Sequence, residues 1–271
     1  MVLESLTNPE MAEKRRWVVF LLGIVYSSLA VAISILLFYQ YAGLTIVFFT
    51  VLASVPLMYN TIKYEEGKDL EIEDERLLIK EHGKALAFFV YLFFGFMVSF
   101  SLWYALLPEN VSESVFKIQS DTIREINSPV SGNAMNIFGT FSKILLNNVK
   151  VLVFCLIFAF LYGAGAIYIL TWNAGIIAVA IVDFIKAGMG SVSILIPQAI
   201  FRYMIHGVPE IFAYFMGGLA GGIISVAVIR HDLRTAKAKH IMLDSLDLVF
   251  GALVMLIVAA LLEVFVSPLI A

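Results

Sequence analysis

The residues with the widest chemical reach lie in the run Arg202-Tyr203-Met204-Ile205-His206-Gly207-Val208-Pro209-Glu210. His206 and Glu210 are spaced i, i+4 and can share one face of a helix. An imidazole and a carboxylate so placed offer a proton relay or half of a metal site. One His and one Glu fall short of a full ligand set, so no metal and no cofactor is expected. A structural reading fits the same residues. Pro209 suits the first position of a helix, Glu210 complements a helix N-terminus, and Gly207 suits a left-handed cap before it. Both readings stay open.

Other polar side chains fall where the surroundings are apolar. Asn147 and Asn148 open one apolar run, Asn173 follows its end, and Glu263 falls near the end of the last run. Asp183 and Lys186, spaced i, i+3, can pair on one helix face. Ionisable groups inside a membrane are costly to keep and so default to candidate functional sites. Asn148, Asn173, His206, Glu210 and Glu263 therefore make up a candidate polar intramembrane centre. No catalytic residue is assigned. The chain has no Gly-rich phosphate loop, no H-E-x-x-H, no Cys-x-x-Cys and no G-x-S-x-G. The expectation is a protein that is not an enzyme.

The elements that must hold these residues are membrane helices. Of 271 residues, 61% are hydrophobic and 14% charged, and the mean hydropathy is +0.93. Soluble domains run about 45–50% apolar and about 25% charged, so an ordinary soluble enzyme is excluded. The net charge of −3 offers no basic field for nucleic acid. Cys155 has no second cysteine to pair with.

The hydropathy pattern predicts an all-α polytopic transmembrane bundle with about six clean spans and one broken or re-entrant segment, 174–206. The clean spans are 17–38, 42–58, 86–107, 149–172, 208–229 and 248–266. The chain divides into an N-terminal hairpin with a charged cytoplasmic segment, 1–85, and a larger transmembrane part, 86–271. Loop 108–147 reads as two amphipathic helices, marked by Val115, Ile118, Thr122 and Ile126, then by Ala134, Phe138, Phe141 and Leu145. They suit the membrane surface or the span ends. With the N-terminus cytoplasmic, twelve Lys and Arg face inside, and Lys117, Arg124, Lys143 and Lys150 face outside. That asymmetry predicts seven crossings of the cell membrane and an external C-terminus. Asn110-Val111-Ser112 is then a glycosylation sequon on the external loop.

Small residues supply the packing signal. Gly217, Gly218, Gly221 and Gly222 give overlapping GxxxG spacings in one span, and Gly163 and Gly165 make a smooth patch in another. Such seams let helix backbones approach closely, within the chain or against a second copy or another membrane protein.

From about Leu86 to the C-terminus, the chain resembles the stage II sporulation protein M family, especially its archaeal branch. The resemblance rests on Asn147-Asn148, Leu161-Tyr162-Gly163-Ala164-Gly165-Ala166 and Thr171-Trp172-Asn173. It continues through His206-Gly207-Val208-Pro209-Glu210, the glycine-rich span and the ending Glu263…Pro268. Ala174 stands where the family pattern often has Gly. Sporulating bacterial members of that family look like membrane anchors that assemble cell-wall hydrolases during engulfment, whereas archaeal members have no assigned activity. The resemblance therefore does not carry that named role over to an archaeal-type chain. The leading expectation is a non-enzymatic membrane scaffold or subunit of a membrane complex. The alternative is a transporter or channel with its polar site at the broken segment near His206 and Glu210.

Overall fold

The computed structural model describes residues 16–71, 75–127, 137–162, 166–230 and 236–269. Among the described residues nine α-helices follow one another: α1 (Arg16–Leu37), α2 (Ala42–Glu71), α3 (Glu75–Leu106), α4 (Glu109–Val115), α5 (Lys117–Asn127), α6 (Ile137–Tyr162), α7 (Ala166–Ala187), α8 (Val192–Arg230) and α9 (Ala236–Phe265). Short 3-10 turns, Tyr39–Tyr41 and Ser267–Leu269, follow α1 and α9. No strand occurs among the described residues. Seven of the helices are long and apolar enough to cross a membrane. Helices are the solution because lipid offers backbone N–H and C=O groups no partner. Several buried hydroxyls obey the same constraint. Ser27 Oγ donates to Gly23 O at 2.6 Å and Thr50 Oγ1 to Ile46 O at 2.7 Å, each back along its own helix.

α3 and α8 form the interior. Phe88, Phe89, Phe93, Phe96 and Phe100 of α3 are all buried. Phe215 of α8 stacks on Phe89 at 5.7 Å and meets Phe93 edge-on at 6.1 Å. α1 runs parallel to α3, and Gly23 lies against Gly95 so tightly that a Cβ on Gly23 would stand 2.6 Å from Leu92 O. Ser28 and Ser99 hydrogen-bond at 3.0 Å across the same seam. This glycine pair was not singled out from the sequence, because single glycines lack the GxxxG spacing.

Register follows from neighbouring residues. Gly217 and Gly221 of α8 meet Leu152 and Leu156 of α6, so these two helices run parallel. Gly218 meets Ala166 of α7, and Gly251 of α9 meets Met216, at antiparallel partners of α8. Carrying the α6 register back to Ile137 reaches about residue 202 of α8. The first ten residues of α8, about 15 Å at 1.5 Å per residue, therefore project beyond the start of α6. From Val192 to Phe201, Leu195 and Ala199 alone are buried. The start of α8 thus extends past the start of α6 and is largely exposed.

Several span boundaries differ from the hydropathy reading. The run 149–172 is divided, because α6 ends at Tyr162 and α7 begins at Ala166. The interruption expected across 174–206 narrows to residues 188–191, a turn between two long helices. Hydropathy averages over such a turn, so it cannot locate a reversal as short as this one. Of the second amphipathic pattern, Phe138, Phe141 and Leu145 belong to the start of α6, which continues without a break into the span; Ala134 lies outside the described residues. The first corresponds to α4 and α5, and it enters the bundle. Phe116 is buried, its ring 5.3 Å from that of Tyr104, and buried Gln119 donates through Nε2 to Gly43 O at 3.1 Å.

Candidate functional site

His206 and Glu210 lie inside the 39-residue α8, so the cap reading does not hold: Gly207 and Pro209 are helix-interior residues. An interior proline removes one donor and crowds the carbonyl four residues earlier. α8 tolerates both Pro197 and Pro209, because flanking helices can cover the freed backbone.

The i, i+4 spacing does place both side chains on one face, yet they bond to other groups. His206 Nδ1 lies 2.9 Å from Ser267 Oγ, just past the end of α9. Ser267 Oγ also reaches Leu262 O at 3.5 Å. Glu210 Oε1 accepts from Tyr214 Oη at 2.6 Å, one turn further along α8. Glu263 lies in the last turn of α9, four residues before Ser267. Three of the five candidate residues thus gather where α8 leaves the end of α9. His206 is level with the chain beyond α9, and Glu210 is about 6 Å deeper at 1.5 Å per residue. The cluster sits toward the end of the bundle rather than at its centre.

The two asparagines do not join it. Asn173 Nδ2 donates to Ile169 O at 2.7 Å within its own helix. Asn148 is buried, and its Nδ2 has no hydrogen-bond partner. No group of three or more His, Cys, Asp or Glu side chains suited to a metal occurs among the described residues.

The glycine seam turns inward. A Cβ on Gly221 would come 2.5 Å from Leu156 O, one on Gly218 2.9 Å from Ala166 Cβ, and one on Gly217 would collide with the Leu152 side chain. Gly222 is buried as well. These four residues are in contact with, or enclosed by, the chain's own helices. Gly163 and Gly165 lie outside the described residues.

The sequence reading missed three contributors. Tyr214 carries a readable signal, its i, i+4 spacing from Glu210. Ser267 carries none, being 61 residues from His206. Tyr104 likewise joins a distant group, donating to Asp183 Oδ1 at 2.8 Å. The Lys186 ammonium lies 4.5 Å from the centre of the same ring. The expected Asp183–Lys186 pairing is replaced by two separate contacts with one tyrosine.

Compared with known proteins, residues 85–268 match a family model described as Stage II sporulation protein M. No curated protein and no solved structure matches the chain. The match begins within α3, so α1 and all of α2 lie outside it while packing against the matched helices.

Proposed function

The chain belongs to the stage II sporulation protein M family, and from that premise we propose that it is a non-enzymatic scaffold or subunit of a membrane complex. The observation that carries this reading is the largely exposed α7–α8 end. Met189, Val192, Ile194, Ile200 and Phe201 are exposed there, on a segment that neither α6 nor α9 covers. The charged residues Asp183, Lys186 and Arg202 lie in the same end, which supports a position at or beyond the headgroups. An apolar patch in such a place suits protein association. The Lys and Arg asymmetry supports an external position for it. The partner surface is proposed here, because the glycine-rich span is occupied from within the chain.

A photo-reactive residue at Ile194, compared with one at Leu253 on the outer face of α9, tests this in native membranes. A discrete protein adduct from Ile194 and none from Leu253 is the supporting result. The second reading, a transporter or channel, draws on the grouping of His206, Glu210 and Glu263. The purified chain in liposomes decides between them. Solute or ion flux that Glu210→Gln abolishes would replace the scaffold with a transporter.

A further inference from the structure

A cavity of about 820 Å³ opens on the α7–α8 side of the bundle, walled by α4, α5 and the ends of α3 and α7. Ligand sites span about 300–1,000 Å³, so it has room for a small molecule. Its wall carries charges of both signs, only some of which pair with one another. Tyr104 keeps the nearest two apart: its hydroxyl holds Asp183 and its ring face holds Lys186. Lys117 and Glu113 also line the cavity and make no ion pair among the described residues. The ion pair present on this wall is Arg124–Asp121, at 3.7 Å and largely exposed.

We propose that this cavity binds a small zwitterion, its ammonium directed to Asp183 and Glu113 and its anionic group to Lys186 and Lys117. A purely anionic ligand would meet the carboxylates, and a purely cationic one the lysines, so each loses at one end what it gains at the other. A dipolar ligand gains at both. Tyr104 supplies the spacing, because without it an aspartate and a lysine three residues apart on one helix face would satisfy each other.

Two sources share this chemistry, a zwitterionic lipid headgroup and a free amino acid or short peptide. The test uses the full chain in nanodiscs of phosphatidylglycerol, which carry no zwitterionic lipid. Alanylalanine and phosphoethanolamine are titrated by calorimetry, with ethylamine and inorganic phosphate as singly signed controls. Saturable binding of at least one zwitterion, at least tenfold tighter than either control, is expected. Lys186→Gln, an exposed position, should weaken it at least tenfold with an unchanged melting temperature, and Asp183→Asn should act alike. Phosphoethanolamine binding competed by phosphatidylethanolamine nanodiscs assigns the headgroup; alanylalanine binding without that competition assigns a soluble ligand. Failure of both zwitterions to bind, equal binding of a control, or unchanged binding in Lys186→Gln overturns the proposal.

Discussion

His206 Nδ1 and Ser267 Oγ meet at 2.9 Å across 61 residues of sequence, fastening the long helix α8 to the chain just past α9. Hydrogen bonds between membrane helices average about 0.6 kcal/mol and reach about 1.7 kcal/mol. His206→Ala and Ser267→Ala should each lower stability by an amount in that range. The double variant should cost little more than the larger single, because both remove one contact. Unfolding in mixed micelles measures the cycle, and fully additive losses would contradict the bond.

Glycine substitutions should rank by what a new Cβ meets. Gly221→Ala drives a methyl to 2.5 Å from the backbone oxygen of Leu156, an overpacking that costs about 1–3 kcal/mol. Gly217→Ala meets the flexible end of Leu152 and should cost less. Gly83 has nothing within 4 Å, so Gly83→Ala should gain up to about 1 kcal/mol from helix propensity. Melting temperatures that reverse this order would refute the inward-facing seam.

Gln119 anchors α5 with one bond to Gly43 O, while its Oε1 has no partner. Replacing it with methionine loses the bond and also removes the unsatisfied oxygen. Gln119→Met should therefore stay within about 1 kcal/mol of the parent, whereas Gln119→Ala leaves a void and should cost about 2 kcal/mol. Chemical denaturation of the two variants separates these outcomes. Equal losses would mean that the side chain's volume plays no part in seating α5.

Thiol labelling tests the orientation proposed from the charge asymmetry. Buried Cys155 should stay unlabelled in the folded protein. A cysteine at exposed Glu109 should react with a membrane-impermeant maleimide in intact cells. One at exposed Lys63 should react only after permeabilisation. The opposite pattern would invert the topology.

Local features of the site were legible where the sequence spacing itself was local. The i, i+4 relation put His206 and Glu210 on one face, and the glycine spacings marked a close helix approach. What failed was each inference about what lay opposite. Asn173 bonds back to its own helix, Asn148 Nδ2 is left unpartnered, and Gly207 and Pro209 sit within a helix instead of starting one. A proline marks a helix start only if the residues before it leave the helix, and here flanking packing carries α8 through.

The sequence by itself determined that this chain is a helical membrane protein of its family, with six clean apolar spans and one interrupted segment. Those properties accumulate residue by residue, since transfer into lipid depends on composition along a window. Only the tertiary structure decided that His206 answers to Ser267, that Tyr104 parts Asp183 from Lys186, and that the start of α8 extends past the start of α6. Each of these depends on the rotation and axial register of one helix against another. Packing sets those quantities between residues far apart in the chain, and no periodicity within a single helix encodes them.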